Sequence, residues 1–287
     1  MFREEIYDDP NDPDDKWDHR ARLSRVPLEA GQILKRFNWG KYMKDEVRNT
    51  DEWFYNSLIW CDLCSSIIPR TLKKATEQKQ ARKGGKGWGS KASQKHSQNL
   101  KTAKHVLKMQ CTGTIKVWFV PILVRGKFHV EALPENFPGE TEEGAETMVA
   151  KVRAALNIRF QGGNAPKVLF TDRGNGFYDS GSGVITAGHR NALAQHGLKA
   201  FMREDAARQP GQLQEVMLHE TAMAWVRQRL KRTVPSQPWK ETVEEYRTRL
   251  KSVAAYINAN YNVEGLCREL PLRVKLLLEA EGDRIAK

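Results

Sequence analysis

An apolar run with a single acid near its middle constrains the fold of this chain more than any other feature. Residues 53–68 read WFYNSLIWCDLCSSII, and Pro69 follows them. Aromatic and β-branched residues at this density predict a buried strand that proline ends. An unpaired carboxylate inside such a strand costs several kcal/mol. Asp62 is therefore expected either to hold a partner or a metal ion, or to lie near an exposed end of the strand.

The rest of the chain alternates between strand and helix patterns. The predicted strands cover residues 53–68, 115–124, 127–133, 167–171 and 198–202, with a turn at Arg125-Gly126. The predicted helices cover residues 142–156, 189–196, 213–232, 241–260 and a short segment after Pro271. This order predicts an α/β fold, in which a mixed sheet is flanked by helices and followed by a C-terminal helical extension.

Two more acids occupy positions where a site can form. Asp172 ends the buried strand KVLFT, and sites in open α/β sheets gather at the carboxyl ends of strands. Its alternative role is to form a turn before Gly174. Glu220 lies beside the apolar stripe of its predicted helix, although a lone helical glutamate is usually solvated. If Asp62, Asp172 and Glu220 converge, their oxygens suit Mg²⁺ or Mn²⁺, and two such ions can support phosphodiester chemistry.

A strongly basic segment carries most of the formal net charge of +12. Residues 70–104 hold eleven Lys/Arg against one acid, Glu77, which gives this segment a net charge of +10. Such a segment predicts DNA contact through phosphates, without sequence reading; the alternatives are a solvated loop or a nuclear localisation patch. The residues predicted to bind DNA are Lys73, Lys74, Lys79, Arg82, Lys83, Lys86, Lys91 and Lys95.

Several other classes of protein are disfavoured. No run is long and apolar enough for a membrane span, and the acidic N-terminus does not resemble a signal peptide, so a soluble intracellular protein is expected. Cys61 and Cys64 lack a second ligand pair for zinc, and buried thiols are expected. The Gly-rich loop after Asp172 has no dinucleotide fingerprint, so no small-molecule cofactor is predicted. His219 is expected to be a core or surface histidine rather than a site residue.

Three motifs together resemble the catalytic domain of mariner-type and related DDE transposases. They are SLIWCDLCSSIIP around Asp62, VLFTDRGNGFY around Asp172 and LHETAMAWVRQRLKR around Glu220, and the match spans residues 53–232. The resemblance implies a ribonuclease H-like fold in residues 51–234, after an acidic, partly helical lead-in at 1–50 and before a helical extension at 235–287. It also implies that Asp62 bridges two metal ions, that Asp172 and Glu220 each complete one ion site, and that the protein acts as a homodimer.

Some features depart from the family pattern. The separation of 48 residues between Asp172 and Glu220 is longer than usual, so Glu215 and Asp205 stay open as alternative third acids. The residues before 51 leave no room for the paired helix-turn-helix modules that grip transposon ends.

Taken as a whole, the resemblance implies a DNA transposase that binds transposon ends and target DNA. The alternatives are a domesticated or truncated DNA-binding protein without catalysis, and a nuclease that cuts but never joins. A nuclear location is expected in a eukaryote, and a cytoplasmic one otherwise.

Overall fold

The computed structural model describes residues 28–47, 51–71, 75, 114–161, 163–171, 177–179, 184–201, 210 and 213–285. The predicted acidic tail, all eight predicted DNA-binding residues and Asp172 lie outside these residues. The described helices are α1 (Ala30–Tyr42), a π-helical segment (Met43–Val47), α2 (Asp51–Ser57), α3 (Glu142–Arg159), α4 (Ala187–Gln195), α5 (Leu218–Arg232), α6 (Val243–Asn260), α7 (Val263–Cys267) and α8 (Leu270–Glu279). The described strands are β1 (Leu58–Cys61), β2 (Cys64–Pro69), β3 (Thr114–Val124), β4 (Lys127–Ala132), β5 (Val168–Phe170) and β6 (Lys199–Ala200).

The described strands form one mixed sheet in the order β2-β3-β1-β5-β6, with β4 paired to β3. β1 runs parallel to β5, with Trp60 opposite Phe170, and antiparallel to β3. β5 in turn runs parallel to β6. The carboxyl ends of β1, β5 and β6 therefore meet at the same edge of the sheet. The predicted α/β fold with a mixed sheet and flanking helices is confirmed.

Alternating side chains on the strands divide the core into two faces. Ile59 and Cys61 of β1 and Leu169 of β5 join a buried cluster with α3 and α4. Trp60 and Phe170 lie on the opposite face, where their rings stack with centroids 4.3 Å apart. Because every residue of β1 is buried, its side chains pack on both faces of the sheet.

Two compact units make up the chain, and Asp62 and Glu220 belong to the larger one. The larger unit comprises residues 28–65, 117–227 and 247–287. The smaller unit has residues 66–71, 75, 114–116 and 228–246 as its described part. Within it, the Arg70 guanidinium donates to the carbonyl of Glu241 at 2.6 Å. The start of α6 is capped there, since the backbone N–H of Glu245 donates to the Thr242 hydroxyl at 3.1 Å.

The hairpin and the amphipathic helix after it agree with the sequence prediction. Arg125 and Gly126 both have positive φ, 41° and 70°, which fits a two-residue turn between β3 and β4. The Thr141 hydroxyl caps α3 by accepting from the backbone N–H of Gly144 at 3.1 Å. The predicted apolar face of this helix is buried, and its members are Ala145, Met148, Val149, Val152 and Leu156.

Three predicted elements are wrong in part. The single strand over residues 53–68 is instead the end of α2 followed by β1 and β2, with Asp62 and Leu63 between the strands. The helix predicted from residue 213 begins only at Leu218, because residues 214–216 form a turn. The strand predicted at 198–202 is reduced to Lys199–Ala200 among the described residues.

No helix in the described part of the chain combines the length and apolar character that crossing a bilayer requires.

A buried ion pair ties α1 to the turn that precedes α5. The Arg36 and Glu215 side chains are both fully buried, and the guanidinium of one contacts the carboxylate of the other. Arg36 also donates to the carbonyls of Gly282 at 2.6 Å and Asp283 at 2.9 Å, while Arg284 lies 3.7 Å from the second Glu215 oxygen. Removing one partner would leave a buried charge without its partner, which is costly.

We expect Arg36→Met to lower the free energy of unfolding by about 3–5 kcal/mol, because Glu215 then loses its buried cation. Urea unfolding followed by circular dichroism measures this change. Lys35→Met is the matched control, since Lys35 is exposed on the same helix and should change stability by less than about 0.5 kcal/mol. Equal stability of the two variants would show that the pair is not a main support of the fold.

Candidate metal centre

Asp62 lies immediately after the buried strand β1, at the edge where β1 and β5 end. Its side chain is 16% exposed, so the carboxylate is neither in the core nor fully solvated. The backbone N–H of Leu63 donates to Asp62 Oδ1 at 2.7 Å. The thiol of Cys64 lies 3.7 Å from Asp62 Oδ2. These contacts orient the carboxylate while its remaining lone pairs stay open to a ligand.

Helix α5 brings two further donors to this edge from its first turn. His219 is 1% exposed, whereas Glu220 keeps a quarter of its side chain exposed. Ala222, Met223 and Val226 on the same helix are buried, and they anchor the face next to Glu220. A carboxylate in the first helical turn is also stabilised by the positive end of the helix dipole.

The side chains of Asp62, His219 and Glu220, here called the Asp62 cluster, meet in space. One ligand atom from each lies within 4.8 Å of the other two. His219 Nε2 is 3.9 Å from Asp62 Oδ2. On the outer side, Arg227 Nη2 is 3.6 Å from Glu220 Oε2, although Arg227 is 63% exposed and this pair contributes little energy. Residues 158 positions apart in the chain thus form one polar site.

Burial of the Asp62 cluster changes its acid–base properties. Desolvation, reinforced by the negative charge of Glu220, raises the pKa of Asp62 from its ordinary 3.8 to about 6. Desolvation, with the charge of Asp62 second, raises the pKa of the Cys64 thiol well above its ordinary value. The thiol is therefore protonated at neutral pH and donates to Asp62. Two carboxylates held this close favour a bound cation, which removes their mutual repulsion.

Aromatic rings form an apolar floor beneath the cluster. Phe170 stacks between Trp60 and Phe201, with ring centroids 4.3 Å and 4.8 Å away. The His219 ring lies 6.4 Å from the Trp60 ring in a tilted arrangement. The buried rings of Trp60 and Phe170 make the surroundings of His219 apolar on this side, which strengthens electrostatic interactions there.

Comparison with known proteins shows which fold the chain has. No family model and no curated protein matches this sequence. Among solved structures, the crystal structure of the catalytic domain of Mos1 mariner transposase matches with a TM-score of 0.50 and 9% identity, over 91% of this chain and 100% of that one. The Mos1 transposase paired-end complex with left transposon end matches with a TM-score of 0.54 and 10% identity, over 91% of this chain and 66% of that one. The mariner Mos1 paired-end complex with Mg matches with a TM-score of 0.53 and 13% identity, over the same shares.

The chain has the fold of a mariner transposase catalytic domain. This confirms the resemblance at the level of fold, a ribonuclease H-like mixed sheet flanked by helices. The chain spans about two thirds of the length of the transposase chains in the DNA complexes. At 9–13% identity the likeness is one of fold, and activity has to be argued from the residues themselves.

The mariner-like fold brings together two of the three predicted acids, Asp62 and Glu220, and their catalytic role stays a prediction. Asp172 lies outside the described residues, directly after Thr171 at the end of β5. Of the alternative third acids, Asp205 also lies outside them. Glu215 lies away from the cluster, because its buried carboxylate is bound by Arg36 and Arg284.

His219 belongs to the cluster although the sequence favoured a core or surface role. The histidine is indeed buried, yet its ring faces Asp62. Its position beside Glu220 was the only signal in the sequence, and adjacent helical residues point about 100° apart. Their joint approach to Asp62 depends on how α5 packs against the sheet, which local sequence does not report.

The cluster fits a divalent cation by its donor types. Carboxylate oxygens suit Mg²⁺ and Mn²⁺, and an imidazole nitrogen suits softer divalent ions. The three candidate ligand atoms lie within 4.8 Å of one another, so Asp62, His219 and Glu220 are the residues that would hold such an ion.

We expect ionisation of the Asp62 carboxyl group to lower the stability of the metal-free protein as pH rises from about 4 to 7. Its pKa is higher in the folded state, about 6, than in the unfolded chain, so the protonated form stabilises the fold and ionisation removes that contribution. Asp62→Asn has no carboxyl group to ionise at this position. Its stability relative to the unsubstituted protein should therefore increase by roughly 3 kcal/mol over that range.

Urea unfolding in the presence of a chelator, repeated at several pH values, measures this difference. Comparing the two proteins cancels every other titrating group. A difference that does not vary with pH would mean that the Asp62 carboxyl keeps its ordinary pKa. Glu220→Gln should reduce the effect without abolishing it, because the charge of Glu220 is a smaller cause than burial.

Proposed function

We propose that this chain is a metal-dependent DNA transposase that cleaves a DNA strand and joins the freed 3′ end to a target. The observation that carries the proposal is the Asp62 cluster, located at the carboxyl edge of the parallel strands in a mariner-like catalytic fold. Three potential metal ligands, of which Asp62 and Glu220 are partly exposed, lie beside buried aromatic rings and suit a reaction that needs cations and limited water. The described part of the chain contains no other such group of ligands.

The proposed ligands are Asp62, Asp172 and Glu220, with His219 beside them. The register of β1 and β5 supports the inclusion of Asp172, because Asp62 and Asp172 each follow a paired residue, Trp60 or Phe170, by two positions. Divalent ions held there would activate a water or a 3′-hydroxyl and stabilise the leaving oxygen. Mos1 paired-end complexes with Mg and with Mn provide the precedent for two suitable cations.

The protein's own side chains would organise the reaction around these ions. Leu63 N–H and the Cys64 thiol hold the Asp62 carboxylate in place, and α5 holds His219 and Glu220 on one helical turn. The cluster is negative without cations and would repel DNA phosphates. Cation binding reverses that local charge, so metal and DNA binding are expected to be cooperative.

The proposed partner is DNA, both as transposon ends and as target. The basic segment at 70–104, with its net charge of +10, supports phosphate contacts that do not depend on sequence. Two transposon ends must be cut together, so we also propose that two copies of the chain act as a homodimer. Activity inside cells then requires access to chromosomal DNA, so we propose that the protein acts in the nucleus if its source is a eukaryote.

We expect Asp62→Asn and Glu220→Gln to reduce plasmid nicking in Mn²⁺ by at least about a hundredfold, because each removes a metal ligand. Conversion of supercoiled to open-circular plasmid measures the rate. Glu146→Gln is the matched control, since this acid is exposed on α3, and it should nick at the unsubstituted rate. A labelled 3′ end joined to target DNA distinguishes transfer from cutting alone.

Equal nicking by the unsubstituted protein and Asp62→Asn would reject the proposal. A folded protein that takes up no Mn²⁺ in calorimetry, yet binds DNA in a salt-dependent manner, would instead support a DNA-binding protein without catalysis.

We expect substitution of four basic-segment lysines to weaken DNA binding and to flatten its salt dependence. The slope of log K against log salt should fall in magnitude by about 0.9 for each lost phosphate contact. Fluorescence anisotropy on duplex DNA at several salt concentrations measures this slope. The substituted residues, each changed to Gln, are Lys73, Lys74, Lys83 and Lys86.

The matched control removes the same charge from exposed lysines elsewhere. Its substituted residues are Lys35, Lys41, Lys127 and Lys275. Equal slopes for the two quadruple variants would mean that the basic segment is not the DNA contact and that only the total charge matters.

A further inference from the structure

The turn that leads into α5 is bound by arginines from α1 and α8. Arg36 of α1 holds the Glu215 side chain, as described above. Arg273 of α8 is 8% exposed and approaches the same turn through its guanidinium. The Asp62 cluster takes two of its three ligands from the helix that begins directly after this turn. The orientation of the turn therefore determines where those ligands lie.

Arg273 contacts residues on both sides of the two ligands in the sequence. Its Nη1 donates to the carbonyls of Glu215 at 3.1 Å and Met217 at 3.3 Å. Its Nη2 donates to the Thr221 hydroxyl at 3.0 Å. Met217 precedes His219 by two residues, and Thr221 follows Glu220 directly. One planar group thus spans the first turn of α5.

Glu269 fixes the guanidinium from the other side. Its Oε2 accepts from Arg273 Nε at 3.0 Å and from Nη2 at 2.6 Å. A guanidinium offers five donors in one rigid plane, whereas the lysine ammonium is a point charge without that geometry. The Arg273 contacts therefore determine orientation as well as charge. A small rotation of the first turn of α5 would move His219 and Glu220 together.

We propose that Arg273 is a positioning residue of the Asp62 cluster, which holds the first turn of α5 at the angle that directs His219 and Glu220 towards Asp62. This inference rests on the proposed metal-dependent function and deepens it. It assigns helix α8 an indirect part in metal binding, since Arg273 acts through α5 and no residue of α8 belongs to the cluster. Groups that orient metal ligands from behind typically change metal affinity by 10- to 100-fold when removed.

The test compares Mn²⁺ affinity and local amide exchange in full-length variants. Arg273→Met should raise the Kd for Mn²⁺, measured by electron paramagnetic resonance of the free ion, by about tenfold or more. It should also speed hydrogen exchange of the amides of residues 218–222 in the metal-free protein. Arg273→Lys should resemble Arg273→Met. Lys275→Met, an exposed cation on the same helix, should leave both readouts within about twofold of the unsubstituted protein.

Each outcome decides the inference. If Arg273→Met lowers Tm but keeps the unsubstituted Mn²⁺ affinity and exchange rates, Arg273 has only a general structural role and the inference is wrong. If Arg273→Met does not fold, Thr221→Val replaces it, since this variant removes one acceptor of Arg273 and keeps the side-chain shape. It should weaken Mn²⁺ binding several-fold, and unchanged binding would overturn the inference. If the unsubstituted protein binds no Mn²⁺, the proposed function fails, while the exchange comparison still decides whether Arg273 holds the turn.

Discussion

The parallel pairing of β1 with β5 is the constraint from which the rest of the site follows. It joins segments more than a hundred residues apart and makes both strands end at one edge of the sheet. Because β1 is buried along its whole length, the first position at which an acid meets solvent is the residue after Cys61. Asp62 occupies that position. A one-residue shift of register would move the apolar side chains of β1 to the wrong faces, so the place of Asp62 is determined by the core itself.

The acids of the Asp62 cluster lie close to each other, whereas the nearby acid Glu215 is paired with arginines. In the cluster, burial and the neighbouring charge of Glu220 raise the pKa of Asp62, so the metal-free site reduces stability at neutral pH. A few residues away, Glu215 is compensated by Arg36 and Arg284, and Arg273 satisfies backbone carbonyls and a hydroxyl. The residues around the start of α5 therefore include one acid, Glu215, that arginines neutralise within the protein, and another, Glu220, whose carboxylate approaches Asp62. This contrast separates Glu215 from Glu220 as third-acid candidates more clearly than their positions in the helical pattern.

Local patterns were sufficient for some elements and failed for others. The β3–β4 hairpin and the amphipathic helix α3 agree with the sequence because adjacent residues determine them through a turn and a continuous apolar face. The run at 53–68 misled because aromatic residues suit strands and buried helices alike. Trp53 and Phe54 pack edge to face on α2, and Tyr55 lies under the Arg268 guanidinium at 3.8 Å. The helical part of this run thus includes a contact with a residue more than two hundred positions away, which the local pattern does not report. The predicted start of α5 at residue 213 is too early for a similar reason, since Arg36 and Arg273 bind the turn that precedes Leu218.

The sequence by itself determined the α/β class, the hairpin, the basic segment and the choice of Asp62 as an acid that needs an explanation. An isolated carboxylate in an apolar run is anomalous whatever surrounds it, because its desolvation cost is local. Only the tertiary structure decided that Glu220 rather than Glu215 approaches Asp62, and that His219 accompanies it. These facts depend on the packing angle of α5 against the sheet. Side chains from α1 and α8 contact the residues just before α5, and no local periodicity encodes contacts between residues so far apart in the chain.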